Sequence, residues 1–303
     1  MNAPLSRRSL LCNLAGGTAA AAAVAAWGPQ STAVAEPAWP EEGPAGSPLK
    51  GRINHSVCRG CYGRIPLDKL CQAARAMGIK SVELIGSQDW ATVRKHGLTC
   101  AMGSDPRVKI PDGFNRLENH DRLVGIYEAL LPQAAAAGVP NIICLSGNRK
   151  GLDDEQGMKN CARGLKRLMK LAEETKVNLV MEGLNSKVDH PDYQYNRTVW
   201  GVELCKLVGS ERFKLLYDIY HMQIMEGDLI ATIRKFAPYI AHYHTAGVPG
   251  RHEIDQTQEI YYPAVMKAIV ATGYRGFVAQ EFMPTRADPL ASLRQAVQIC
   301  DVE

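Results

Sequence analysis

The sequence has little net charge and no long run of one sign. Lys and Arg number 35 against 31 Asp and Glu, an excess of 35 − 31 = +4 over 303 residues. Nucleic-acid binders concentrate basic residues, so this balance argues against that partner. Cysteine is thin for a disulfide scaffold, with nine in the whole chain. Cys58-Arg59-Gly60-Cys61 has no second such pair to complete a zinc ribbon and does not clearly open a helix, as a thioredoxin-like site does. Cys100, Cys144, Cys161 and Cys205 sit in apolar runs and read as buried thiols; plain packing is also the simplest role for Cys58 and Cys61. No Gly-x-Gly-x-x-Gly follows the first strand candidate, which disfavours a dinucleotide-binding sheet. Hydrophobic residues make up 46% and charged residues 22%, which excludes a disordered tail, a collagen and a coiled coil.

The N-terminus carries an address. Ser6-Arg7-Arg8-Ser9-Leu10-Leu11 leads into an Ala-rich apolar stretch to Trp27, and Ala33-Val34-Ala35 supplies a small-x-small cleavage pattern. The adjacent arginines resemble a twin-arginine export signal, so residues 1–35 are expected to direct the protein to the periplasm, with cleavage after Ala35. Asn13 and the glycines weaken this stretch as a membrane span, so no stable span is expected after cleavage. Residues 36–50, with four prolines, read as a flexible lead-in, and residues 51–303 as one folded domain.

Within that domain, short apolar runs alternate with amphipathic ones. Strands are predicted at 53–58, 81–85, 99–103, 141–146, 178–184, 213–219, 240–246 and 276–282. Helices are predicted at 67–77, 89–96, 120–137, 155–175, 199–208, 228–236, 262–272 and 289–300. Gly78, Gly138, Gly209 and Gly273 follow helices, where a left-handed cap suits glycine, while Pro66 and Pro289 suit a first turn. Eight alternating units imply parallel strands with right-handed crossovers: an α/β fold closed as a single (β/α)8 TIM barrel.

Such barrels place chemistry at the C-terminal ends of their strands. The fifth predicted strand ends in Glu182, the sixth in Asp218 and the eighth in Glu281, and the seventh presents His244. By the strand period of two, Val180 shares a face with Glu182, Leu216 with Asp218, and Phe277 and Ala279 with Glu281, so each polar group caps an apolar face. Three converging carboxylates repel, and a divalent cation relieves that repulsion. Three oxygens and one imidazole suit manganese first, with magnesium and zinc as alternatives. His242, deeper on the same face as His244, reads as a hydrogen-bonded core histidine.

Glu182, Asp218, His244 and Glu281 match the metal-binding set of the xylose-isomerase-like barrels, a superfamily that includes ketose 3-epimerases and hydroxypyruvate isomerases. The resemblance covers nearly all of residues 51–303. Asp218-Ile219-Tyr220-His221 resembles the Asp-x-x-His motif whose histidine contacts substrate, and Ala246-Gly247-Val248-Pro249-Gly250-Arg251-His252-Glu253 is similar to a segment typical of hydroxypyruvate isomerases. Glu182-Gly183-Leu184-Asn185 and Val188-Asp189-His190-Pro191 also look closer to that group, whereas His244 follows the epimerases. The resemblance implies an isomerase that works through an enediolate on a small α-hydroxy carbonyl compound, above all hydroxypyruvate and tartronate semialdehyde. It makes Glu182 and Glu281 the proton-transfer groups and metal ligands, Asp218 and His244 further ligands, and His221 a substrate contact. Barrels of this group are often homo-oligomers. A hydroxy-keto acid needs a cation for its carboxylate; Arg251 is the first candidate, Arg59 and Lys187 the others. The rivals are a ketose 3-epimerase, a phosphodiesterase resembling endonuclease IV, and an exported sugar-binding protein without activity.

Overall fold

The protein is described by a computed structural model covering residues 48–303. The export signal, its cleavage position and the lead-in up to residue 47 lie outside the described residues. Among the described residues no helix is long and apolar enough to cross a membrane. Leu49 already packs on the core, and the Lys50 backbone N–H donates to Asp301 Oδ2 at 2.7 Å.

Seven parallel strands form the sheet: β1 (Asn54–Cys58), β2 (Ser81–Glu83), β3 (Asn141–Cys144), β4 (Asn178–Glu182), β5 (Phe213–Asp218), β6 (Ile240–Thr245) and β7 (Phe277–Gln280). Their order is β2-β1-β7-β6-β5-β4-β3. The eighth predicted strand position, 99–103, is occupied by a bridging segment instead of a regular strand. Val82 N–H donates to Thr99 O at 3.1 Å and Leu84 N–H to Met102 O at 2.8 Å on one side; Gly103 N–H donates to Asn141 O at 2.8 Å and Ile143 N–H to Gly103 O at 3.0 Å on the other. The ring therefore closes, but through separate bridges. Cys100-Ala101-Met102-Gly103 lacks the β-branched residues that favour a continuous ladder. At Gly103 a Cβ would lie 2.7 Å from Ile142 Cδ1 and 2.9 Å from Trp90 Cζ2, so only glycine lets the chain approach so closely.

The helices match the predicted ones within two residues at each end: α1 (Leu67–Ala76), α2 (Trp90–Lys95), α3 (His120–Ala137), α4 (Asp154–Thr175), α5 (Thr198–Val208), α7 (Leu229–Phe236), α8 (Tyr262–Ala271) and α9 (Pro289–Cys300). In α4, Cys161, Leu165, Leu168 and Ala172 recur at helical spacing and are buried in the large hydrophobic core. Each such leucine contributes about 1.5–3 kcal/mol by leaving water. Gly138 and Gly209 cap α3 and α5 in the left-handed conformation, at φ 71° and 75°. The sequence reading missed α6 (Ile219–Met225), a short helix springing directly from β5.

The alternation of each strand divides the apolar residues into two layers. Leu179, Met181, Leu215 and Tyr217 join the large core under the helices. Val180, Leu216 and Met102 form a small separate cluster inside the barrel, flanked by Leu84, Ile143 and Ala241. Above that apolar floor the strands end in polar groups.

Candidate active site

Strand register assembles the site. Asp218, the last residue of β5, pairs with His244 of β6, and His244 pairs with Ala279 of β7. Glu182 closes β4 on one flank of this pair; Glu281 follows β7 on the other, its N–H donating to Thr245 O at 2.9 Å. Asp218 also caps α6: Oδ1 accepts from the N–H groups of Tyr220 (2.9 Å) and His221 (3.3 Å), which leaves Oδ2 for the site. One ligand atom from each of Glu182, Asp218, His244 and Glu281 lies within 4.8 Å of the others. The structure thus brings together the four residues singled out by strand-end logic.

These donors suit a divalent cation. His244 Nδ1 lies 3.2 Å from Glu182 Oε1 and 2.6 Å from Glu281 Oε2. Yet both Glu182 Oε1 and His244 Nδ1 are buried without a well-directed hydrogen bond. Buried polar atoms left in this way need another partner, and oxygen plus imidazole donors fit Mn2+, Mg2+ or Zn2+.

The two glutamates sit in opposite electrostatic environments. Burial, and then the charge of Glu281, push the Glu182 carboxyl up. Burial also opposes charge on Glu281, but His244 and Arg251 outweigh it and hold that carboxyl well below the usual range. His221 is lowered to about 4, chiefly by burial, and is neutral at ordinary pH.

A residue the sequence reading missed underlies the site. Glu83 ends β2 and is wholly buried. Its Oε1 lies 2.7 Å from His242 Nε2 and 3.0 Å from His244 Nε2, and its Oε2 accepts from Ser56 Oγ at 2.5 Å. Burial would raise this carboxyl, but the two imidazoles prevail and bring it down to about 2. With Nε2–H of His244 given to Glu83, Nδ1 is the nitrogen presented to the candidate ligands; such a partner fixes ring orientation and tautomer. His242 is buried and hydrogen-bonded beneath His244. Glu83 stands in the middle of the predicted strand 81–85 and ends the observed one, so the strand-end argument passed over it.

Among the three candidate cations only Arg251 reaches the site. Its Nη2 donates to Asp218 Oδ2 at 3.0 Å and Glu281 Oε2 at 2.5 Å, and its guanidinium lies 4.8 Å from the ring centroid of Tyr220. Lys187 instead donates to Ile224 O and Met225 O at the end of α6, and Arg59 folds back on Tyr62 O and Gly63 O. His221, on α6, lies with Nε2 3.6 Å from Asp218 Oδ2. The eight described cysteines are free thiols; Cys58 is buried, its Sγ 3.8 Å from His244 Nε2, and Cys61 is half-buried.

The family model described as "Xylose isomerase-like TIM barrel" matches residues 71–300. The hydroxypyruvate isomerase of Escherichia coli is 30% identical over 197 residues, 65% of this chain and 69% of that protein. The 2-oxo-tetronate isomerase of Cupriavidus necator is 38% identical over 117 residues, and a putative hydroxypyruvate isomerase of Homo sapiens is 35% identical over 123. Those alignments cover 39% and 41% of this chain, so it spans 44% of the length of each of these two relatives. Among solved structures, an AP endonuclease, family 2, from Brucella melitensis superposes with a TM-score of 0.69 at 24% identity, over 80% of this chain and 97% of that one. A D-psicose 3-epimerase from Clostridium cellulolyticum H10 gives 0.65 at 17% identity, over 82% and 94%. At those identities the likeness concerns the fold. With more than two thirds of its length matched by the family model, and with its strand-end residues gathered as described, the chain belongs to the xylose isomerase-like TIM barrel family.

Proposed function

We propose that the protein is a metal-dependent isomerase that moves a proton through an enediolate on a small α-hydroxy carbonyl compound, with hydroxypyruvate and tartronate semialdehyde as the leading pair. The observation that carries this reading is the flanking arrangement: Glu182 and Glu281 approach His244 and Asp218 from the two outer strands of the β4-β5-β6-β7 run. A divalent cation held by Glu182, Asp218, His244 and Glu281, manganese in our reading, supplies Lewis acidity to the substrate carbonyl when bound. Glu182 and Glu281 face the substrate from opposite sides: one carboxylate takes the proton from the hydroxyl-bearing carbon, the proton of that hydroxyl passes to the former carbonyl oxygen, and a carboxyl of the pair delivers a proton to the neighbouring carbon. The reverse reaction exchanges these roles. His221 directs Nε2 at the substrate oxygen, and Arg251 meets a substrate carboxylate.

Two of the relatives' names, hydroxypyruvate isomerase and 2-oxo-tetronate isomerase, denote enzymes acting on keto acids, which supports an anionic substrate. His244 supports a second reading, a ketose 3-epimerase, in which the proton leaves one face of a carbon and returns to the other. The Arg7-Arg8 signal supports a periplasmic location.

The test is deuterium exchange in D2O, followed by NMR, with hydroxypyruvate and a panel of uncharged ketoses, with and without manganese. Metal-dependent exchange into hydroxypyruvate with formation of the aldehyde isomer is expected. Exchange into a ketose alone selects the epimerase. No exchange in any compound despite bound metal overturns both and returns the exported binding protein.

A further inference from the structure

The most unusual contact in the site lies between Arg251 and His221. Arg251 Nη1 stands 2.8 Å from His221 Nε2. The far side of that ring fixes its tautomer. Asn185 backbone N–H donates to His221 Nδ1 at 3.2 Å, and Asn185 Nδ2 lies 2.7 Å from the same nitrogen. The Asn185 amide has a single consistent orientation, because its Oδ1 accepts from the N–H groups of Val188 (3.0 Å) and Asp189 (2.9 Å) while Nδ2 also donates to Asp189 Oδ2 (2.6 Å). Nδ1 therefore accepts hydrogen bonds and carries no proton, so the ring proton of the neutral imidazole is on Nε2. The guanidinium N–H and the imidazole N–H face each other, donor against donor, with no acceptor between them.

The other guanidinium nitrogen competes directly with a cation. Nη2 holds Asp218 Oδ2 and Glu281 Oε2, two oxygens of the candidate ligand set. The backbone carrying Arg251 is pinned: Arg251 N–H donates to Gly247 O (2.9 Å), Gly247 N–H to His252 O (2.9 Å) and Met283 N–H to Arg251 O (2.7 Å). Only the side chain is free to leave.

From this juxtaposition we infer that Arg251 is a displaceable counter-cation: it neutralises Asp218 and Glu281 in the position seen here, and a divalent ion together with an anionic substrate moves it onto the substrate carboxylate, so metal and substrate bind with positive coupling. The substrate oxygen then supplies the acceptor that His221 Nε2–H lacks against Arg251. The carboxylate part of this inference rests on the isomerase reading above; the competition for Asp218 and Glu281 does not.

The experiment measures manganese affinity of the full chain by electron paramagnetic resonance, alone and with lactate as an unreactive carboxylate or dihydroxyacetone as an uncharged comparator. Arg251→Gln is expected to bind manganese about tenfold more tightly than the parent, the size typical of one coupled charge. Lactate is expected to tighten manganese binding in the parent and not in Arg251→Gln, while dihydroxyacetone acts alike on both. Arg251→Lys, which keeps the charge in a smaller group, is expected to fall between them and serves if the glutamine variant does not fold. Unchanged or weaker manganese binding in both variants overturns the competition; lactate acting equally on parent and variants overturns the displacement. Tighter binding and intact coupling in a protein that does not turn over hydroxypyruvate leave this inference standing and defeat the hydroxypyruvate reading instead.

Discussion

The two halves of the barrel are built differently. The run β4-β5-β6-β7 is a parallel ladder of regular strands with one register shift, where Leu215 pairs with Ile240 and Leu216 with His242, and its neighbours bring Glu182, Asp218, His244 and Glu281 to one level. The other half comprises β1, a three-residue β2, the bridging segment 99–103 and β3, and its polar contribution, Glu83 with Ser56 and Cys58, lies beneath those four residues. The regular half presents the candidate ligands; the irregular half supports them. Ligand atoms that must converge within a few ångströms need fixed register, whereas a support provided by a single carboxylate, Glu83, reaching two imidazoles does not.

The largest effect is expected in the regular half. Glu182→Gln and Glu281→Gln each keep the shape of the side chain but cannot transfer the proton, and each is expected to lower kcat by about 10^2–10^4-fold. Chelation is expected to abolish turnover of the parent and manganese to restore it. Substantial deuterium exchange by either variant removes the two-carboxylate mechanism. One step down, Glu83→Gln tests the support. Loss of this charge beside His244 is expected to weaken manganese binding by about 10–100-fold, as for other partners behind a ligating histidine. Direct titration of the metal measures it; undiminished affinity means that His244 needs no orientation from below.

Stability separates the halves more finely. Leu216 lies two residues before Asp218, on the same interior face, and Met102 packs against it from the bridging segment. Leu216→Ala and Met102→Ala each open the interior layer and are expected to cost about 2–5 kcal/mol in denaturant unfolding. Only Leu216→Ala is expected to weaken manganese binding as well, since the ligand it supports is two residues away on the same strand. Equal loss of affinity in both variants dissolves the distinction between a presenting and a supporting half.

The presenting half was legible in the sequence because its logic is local. An apolar strand that ends in a carboxylate can be read one strand at a time, and period-two counting correctly placed Val180 and Leu216 inside. The caps at Gly138 and Gly209 were local too. What could not be read depended on pairing between distant segments. The interaction of Glu83 with His242 and His244 joins residues 159 and 161 positions apart. Segment 99–103 reads as a strand by its apolar content, but its small residues and the close approach at Gly103 leave only bridges. Helix α6 was hidden because Ile219-Tyr220-His221 continues the apolar run of β5; only the cap made by Asp218 Oδ1 shows where strand becomes helix.

Within the presenting half, the loop after β6 carries Arg251 and must hold its shape for the comparison to matter. Glu253 ties it down: Oε1 accepts from Thr285 N–H (2.8 Å), Arg286 N–H (3.2 Å) and Ser292 Oγ (3.0 Å), and Oε2 from Thr285 Oγ1 (2.9 Å). Burial opposes this charge, but the donors from Thr285 and Arg286 prevail and bring the carboxyl to about 2. A carboxyl lowered on folding stabilises the native state above its unfolded value, about 4.3 for glutamate, and that stabilisation drains away as pH falls towards the folded value. The parent is therefore expected to lose stability between roughly pH 5 and 2 more steeply than Glu253→Gln, which lacks this titration. Unfolding free energies measured across that window give the slopes. Parallel slopes would show that Glu253 is not held in its ionised form by the loop, and Arg251 would then need another anchor for the position in which it opposes His221.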